Sequence, residues 1–321
     1  MSDVTVAIPV RDGGELFVRT MRALERQTVA HELLVCDSGS RDSSLALAQA
    51  HGARVLEIEP SAFSHGGTRN LLLREARGER VALLTQDAEP ADERWLERLL
   101  EGFALAENVG IVYGPYRPRP QTSPRVRAEL ESWFGSLSPD GEPHVERLGE
   151  QELQLSAGEL VRRHDWEWVG RRGFFTDANA CLARAAWERV PFREVAYAED
   201  RLLALDMLRA GFAKAYMPHA AVLHSHDYTA LEHLRRCFDE WRGLREVYGW
   251  REPVNPRHLV GQLRGARTPR HMLRLAGAVL GSRADRLPPG LRQRLSLERR
   301  AGFAPVDLDS PSNSPRRQET K

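Results

Sequence analysis

The sequence predicts an α/β protein: a mostly parallel sheet flanked by helices, followed by an α-helical C-terminal extension. Two observations carry this. Over the first 115 residues, short apolar runs of strand character alternate with stretches of helical period, which is the rhythm of right-handed βαβ units. From about residue 230 the pattern becomes helical, amphipathic and rich in arginine.

Taken in order, strands are expected at 4–8 (Val4-Thr5-Val6-Ala7-Ile8), 32–36, 54–58, 81–85 and 109–113, with helices near 14–27, 42–50, 68–77 and 91–103. Residues 116–172, rich in proline and charge, read as an irregular insertion or lid. A second ordered block follows: "GFFTDANACLARAAWERV", a helix "AEDRLLALDMLRAGF", and short strands in "AKAYMP" and "AAVLHSH". The expected organisation is an α/β domain over 1–229, a basic helical extension over 230–303, and a tail over 304–321 with the composition of a disordered segment.

With 321 residues, 41% hydrophobic and 28% charged, the chain is long enough to bury a sizeable core and has the balance of a soluble globular protein. A net charge of +1 hides an asymmetry: residues 230–303 hold sixteen arginines against seven acidic residues, so the region before them is acidic. The only lysines are Lys214 and Lys321. Cys36, Cys181 and Cys237 are odd in number and far apart, without CxxC spacing. They read as reduced thiols in a cytoplasmic protein, with no disulfide framework or zinc site. The first strand begins at residue 4, leaving no room for a signal peptide. No apolar run nears the roughly 18 residues of a membrane span, so any membrane is met from its surface. The acidic first part and the lack of a nucleic-acid motif argue against nucleic acid as a partner.

In an open parallel sheet the ligand crevice lies beyond the carboxyl ends of the strands. Asp37 closes "ELLVCD" and Asp87 follows "VALLTQ", so both point to that crevice. Asp37 opens an Asp-Ser-Gly-Ser turn, for which turn capping and nucleoside binding are both open. In "FSHGGTRN", Gly66 and Gly67 permit close backbone approach and Thr68 is an expected N-cap. Arg69 falls in the first helical turn, where the helix dipole disfavours a cation, and a misplaced charge suggests a ligand. Glu199-Asp200 opens a helix, a pattern that either serves the dipole or presents a general base. His224 and His226, at strand spacing in "LHSHD", are either structural or metal-binding.

The succession "VAIPVRDGG", "CDSGSRDSS", "FSHGGTRN", "LLTQDAEP", "AEDRLLALDMLRAGF" and "VLHSHDY" resembles family 2 glycosyltransferases of the GT-A (Rossmann-like) fold, most of all the bacterial rhamnosyltransferase group. "RLPPGLRQRLSLERR" is similar to the C-terminal segment of those enzymes. The resemblance implies an inverting transfer of a sugar, L-rhamnose from dTDP-L-rhamnose, onto a glycan or polyprenyl-linked acceptor in cell-surface polysaccharide synthesis. It places Pro9, Arg11, Asp37, His65, Gly66, Gly67, Arg69, Gln86 and Asp87 around the nucleotide sugar. Asp87 and His224 would hold a divalent metal, Mg²⁺ or Mn²⁺, and Asp200, with Glu199 beside it, would deprotonate the acceptor. Thr85 stands where the general Asp-x-Asp motif has its first acid, leaving Asp87 with phosphate oxygens to complete the metal shell. A non-catalytic sugar-nucleotide binder is the alternative, and it would need no base. For the extension, two readings are open: a solvated helical face, or a peripheral site on the inner face of the membrane. In the second, Arg235, Arg236, Arg242 and Arg245 would meet anionic lipid, with Phe238, Trp241, Tyr248 and Trp250 at the interface.

Overall fold

The computed structural model describes residues 3–254, 269–300 and 302–308. Strand β1 (Val4–Val10) pairs in parallel with β2 (Glu32–Asp37) on one side and β4 (Arg80–Leu84) on the other, and β3 (Arg54–Glu57) lies outside β2. The crossovers are α1 (Gly14–Glu25), α2 (Ser44–Ala50) and α3 (His65–Glu75). The chain continues through β5 (Glu89–Pro90), α4 (Trp95–Glu101), β6 (Val109–Tyr113), β7 (Tyr116–Arg117), α5 (Pro124–Leu137), β8 (His144–Glu146), α6 (Glu150–Leu153) and α7 (Ala157–Glu167). It then forms β9 (Asn179–Ala183), α8 (Arg184–Arg189), α9 (Glu199–Arg209), β10 (Ala213–Tyr216) and β11 (Val222–Leu223).

Eight strands make one sheet in the order β3-β2-β1-β4-β9-β6-β10-β8, with β9 and β8 antiparallel to their neighbours. Side chains alternate across it. Val6, Ile8, Val35, Ala82, Leu84 and Val112 pack with Phe17, Met21, Trp95 and Leu99 on one face. Ala7, Leu34, Leu83, Ile111 and Leu182 pack with Leu72, Trp187, Leu203 and Met207 on the other. Near-continuous apolar runs are what a sheet covered on both faces requires.

A second sheet, β5-β11-β7, lies past the carboxyl end of β4. It depends on a close approach at Gly114, where an added Cβ would stand 1.9 Å from the Ala220 carbonyl oxygen. Buried Asn179 completes the joint: its amide donates to the Pro115 and Ala220 carbonyls, and its oxygen accepts the Trp95 indole N–H at 2.8 Å.

The stretch 116–172 is more regular than its proline and charge content suggests. Ser123 caps α5, accepting the Val126 amide, with Pro124 at the first helical position, which is a favoured helix start. Strand β9 also lies outside the expected strand set; its five buried residues, "NACLA", sit between an apolar run and a helix and lack a period of their own.

The extension comprises α10 (Ala230–Tyr248), α11 (Pro269–Gly281) and α12 (Pro289–Leu295). Trp241, Leu244, Val247 and Tyr248 join Leu160, Val161, Leu202, Leu205, Leu208 and Ala278 in a third core between α7, α9 and the extension. Each large side chain so buried contributes roughly 1.5–3 kcal/mol. This corrects the expectation of a lipid-facing α10: Phe238, Trp241 and Tyr248 are buried against protein. Arg242 is fully buried beside Asp239 and Glu246, Arg245 pairs with Asp285 at 3.0 Å, and Arg236 donates to the Tyr197 hydroxyl. Of the expected tail, 304–308 is packed: Val306 donates its amide to Glu246 O at 2.8 Å, and Arg193 Nη1 donates to Asp307 O at 2.8 Å. Residues 309–321 lie outside the described residues. All three cysteines are buried and unbridged.

The Gly114 contact sets a stability test. Gly114→Ala should cost about 3 kcal/mol by overpacking against backbone, read as a lower midpoint in urea unfolding. Gly135→Ala on α5, with nothing within 4 Å of the added methyl, should instead be neutral or stabilising by up to about 1 kcal/mol.

Candidate active site

Three groups of side chains converge beyond the carboxyl ends of β1, β2 and β4. The first lines the β1 and β2 ends. Asp37, 3% exposed, accepts the Gly39 and Ser40 amides through Oδ1 at 2.8 and 2.9 Å, while its other oxygen, Oδ2, is buried with no protein partner among the described residues. A buried acceptor left open is a place for a ligand donor. Pro9 pairs with Cys36 in the β1–β2 ladder, and the Arg11 amide donates to Gln86 Oε1 at 2.7 Å. Asp12, in the left-handed region at φ 48°, accepts the Arg41 amide and donates its own to Ser40, stitching the two loops into one wall.

The second group follows β4. Thr85-Gln86-Asp87 turns as the Ala88 amide bonds to Thr85 O, and Arg119 donates to the Asp87 carbonyl and to Ser225 O. The small sheet brings "LHSHD" against this turn: His224 Nδ1 lies 3.5 Å from Asp87 Oδ1, and His226 Nε2 lies 3.2 Å from Asp87 Oδ2. One ligand atom from each of the three residues fits within 4.8 Å of the others. Burial would raise the Asp87 carboxyl, but the His226 hydrogen bond and the two imidazoles outweigh it and hold the group well below the usual carboxylate range. Burial pushes His224 down to about 4 despite Asp87, so its ring is neutral, the form that ligates metals. A permanently ionised acid with two imidazoles is a donor set that suits a divalent cation.

The third group surrounds the start of α9. Arg69, 4% exposed, donates from Nη2 to Asp177 Oδ1 at 2.8 Å and lies 3.6 Å from Glu199 Oε1. The helix begins at His65, so Arg69 lies past the first turn and not in it as expected, and its buried charge is matched by protein carboxylates. Ser64, not Thr68, caps that helix, its hydroxyl accepting the Gly67 amide at 3.1 Å; Thr68 lies one turn in. Cβ atoms at Gly66 and Gly67 would stand 2.6 Å from Arg193 O and 2.5 Å from Ser64 Oγ, so both positions have a packing reason for glycine. His65 Nδ1 is 4.0 Å from Glu199 Oε1.

Ala198, left-handed at φ 63°, precedes α9 and aims its first two residues; holding a non-glycine residue there costs of order 1 kcal/mol. Glu199 faces Arg69 and His65. Asp200 accepts the Arg201 amide at 2.7 Å and makes no direct ion pair among the described residues, although it feels the charges of Arg201 and, more weakly, Arg69. Burial, then the nearby Asp177, push the Asp200 carboxyl up to about 7. That places it where a general base works best. Asp177 is pushed up as well, by burial first and against the pull of Arg69. Sequence reasoning passed over Asp177, Arg119 and Glu298; the unmatched charge of Arg69 was the one signal that a buried acid had to lie nearby.

Comparison with known proteins accords with this geometry. The sequence model of the family described as Glycosyl transferase family 2 matches residues 5–173. The O-antigen chain rhamnosyltransferase RfbN of Salmonella typhimurium is 29% identical over 242 residues, 74% of this chain and 70% of that protein. WbaN of Salmonella anatum, also described as an O-antigen chain rhamnosyltransferase, is 29% identical over 245 residues, 74% and 71% of the two chains. In fold, the chain is similar to the mannosyltransferase PcManGT from Pyrobaculum calidifontis, described in complex with GDP-Man and Mn²⁺. Their TM-score is 0.53 at 18% identity, covering 88% of this chain and 73% of that one.

The raised Asp200 carboxyl gives a stability signature. A carboxyl that holds its proton more tightly when folded stabilises the fold below the ordinary carboxylate range, and that contribution is lost as pH rises through about 7. Asp200→Asn does not titrate. It should therefore melt a few degrees above the wild type at pH 8, with the difference shrinking as pH falls below about 7 and closing only near pH 4, in thermal unfolding across that range.

Proposed function

The chain belongs to glycosyltransferase family 2, and from that premise we propose that it transfers L-rhamnose, from dTDP-L-rhamnose, to a hydroxyl of a glycan or polyprenyl-linked acceptor with inversion. The fold is GT-A. One observation carries the catalytic reading: of the two adjacent acids opening α9, Glu199 is paired with Arg69 and His65, and Asp200 has no direct cation partner among the described residues and a carboxyl pushed up to about 7. A site that only binds nucleotide sugar has no use for such a group. The rhamnosyl donor is supported by the two Salmonella relatives.

In this reading the nucleoside lies against Pro9, Arg11 and Asp37, whose open Oδ2 accepts a donor from base or ribose. The acceptor hydroxyl attacks the anomeric carbon as Asp200 takes its proton, and the bond to the nucleoside diphosphate breaks on the opposite face. Asp87, His224 and His226 would hold a divalent cation, which when bound offsets charge on the departing diphosphate. The two imidazoles favour Mn²⁺ over Mg²⁺, whose sites are built almost wholly of oxygen. Arg119, gripping the Asp87 carbonyl, fixes the turn that presents the carboxylate.

Among the described residues no helix is long and apolar enough to cross a membrane. For a lipid-linked acceptor we place the chain on the cytoplasmic face, touching anionic lipid through arginines that the third core leaves exposed: Arg274, Arg286 and Arg294.

Two experiments test these statements. Purified protein with Mn²⁺ or Mg²⁺ and a panel of nucleotide sugars should consume dTDP-L-rhamnose fastest. Asp200→Asn and Asp87→Ala should each lose ~10² to 10⁴ in turnover while keeping wild-type folding. Near-normal turnover in either variant refutes its assignment, and donor binding without turnover in the wild type favours a binding protein. In vesicle sedimentation, the triple Arg274, Arg286, Arg294→Gln variant should lose the wild type's preference for anionic over neutral lipid; equal sedimentation of the wild type on both removes the membrane contact.

A further inference from the structure

The C-terminal extension reaches into the site itself. Asp239, 1% exposed on α10, accepts Ser296 Oγ at 3.1 Å and the Leu297 amide at 2.6 Å through one oxygen, fixing the turn that follows α12. Arg300 Nη1 donates to Ala196 O at 2.6 Å, two residues before the left-handed Ala198. Between these anchors Glu298 Oε2 lies 3.5 Å from His65 Nε2, while the other ring nitrogen of His65 faces Glu199. Glu298 is itself steadied by Arg300 Nε at 2.8 Å. An imidazole from α3 is thus clasped between a carboxylate of α9 and one supplied by the far end of the chain.

We propose that Glu298 is a positioning residue for sugar transfer: with Glu199 it clasps the His65 ring between two carboxylates, so that Glu199 stays held by His65 and Arg69 and Asp200 alone takes the acceptor proton. The proposal rests on the transferase reading above. His65 meets Glu199 from α9, Glu298 from the extension and Arg69 from its own helix. Burial, the largest single influence, would lower its pKa; the Glu298 hydrogen bond and the two carboxylates outweigh burial and Arg69 and raise it. Without Glu298, the ring loses one of the two anions that justify its charge. As a neutral ring it can no longer share Glu199 with Arg69, and the carboxylate next to Asp200 is then free to turn into the crevice. Two adjacent ionised acids would compete for one acceptor hydroxyl, and like charge would spoil the geometry of both.

The test uses the full chain and the variants Glu298→Gln and Glu298→Asp, with NMR titration of the His65 ring, kcat, donor KM and the pH profile. Glu298→Gln should lower the His65 midpoint by about one pH unit and kcat by about tenfold, with donor KM within about twofold. The high-pH limb of kcat should move down with His65, because the imidazolium is lost as pH rises through the ring's own pKa. The low-pH limb set by Asp200 should move up slightly, since the released Glu199 adds a like charge beside it. Glu298→Asp should recover most of both effects. An unshifted His65 titration in Glu298→Gln, or a fall in kcat without that shift, overturns the proposal. If no donor is consumed by the wild type, the transferase reading fails on its own, while the titration still decides whether Glu298 charges His65.

Discussion

A guanidinium buried one turn into a helix must give up its water, and Arg69, at 4% exposure in α3, bears that penalty. It stands because Asp177, just before β9, and Glu199, at the start of α9, bring carboxylates to it. Three segments far apart in sequence are thereby tied at one point, and that point is the wall of the crevice. Breaking such a buried set by removing one member typically costs 3–5 kcal/mol, since the rest are left as uncompensated charges. The cluster also assigns roles. It consumes Glu199 as a structural anion and leaves its neighbour Asp200 in a buried, acid-rich place where a proton is gained near neutral pH.

The same economy governs the Asp87 side. The three-stranded sheet is only two residues long per strand, too short to be stable alone. It persists because Gly114 lets two backbones touch and Asn179 satisfies the carbonyls exposed by that contact. Its function is geometric: it carries His224 and His226 to a turn that β4 alone would leave open to solvent.

How much of this was legible in the sequence follows from which forces are local. Strands β1, β2, β4 and β6 announce themselves by apolar runs, because burial on both faces demands apolar residues at every position. Asp37 and Asp87 were legible for the same reason: an acid ending such a run must lie at the sheet's edge. Asp177 was not, since a single acid ahead of β9 has no periodicity, and β9 itself is antiparallel and follows a long excursion. The Arg69 charge was read as pointing to a ligand because the helix was expected to start at Thr68; it starts at His65, and the anions beside Arg69 are protein. The α10 aromatics show the converse limit. Phe238, Trp241 and Tyr248 form an apolar face whose pattern is identical for lipid and for protein, and only their burial, Trp241 and Tyr248 in the third core with α9, distinguishes the two.

That third core has a consequence for the order in which the molecule becomes competent. The sheet, the β1–β2 loops and the Asp87 turn are all complete by residue 226, whereas the turn carrying Glu298 and the packed segment through Val306 are made long afterwards. Domains fold as they leave the ribosome, so the strands that bring His226 to Asp87 are available to pair before the turn that brings Glu298 to His65 exists. A chain stopped short of the extension would leave Leu202, Leu205 and Leu208 of α9 without the side chains that cover them. Finishing synthesis is then the step that closes the third core over the helix carrying Glu199 and Asp200.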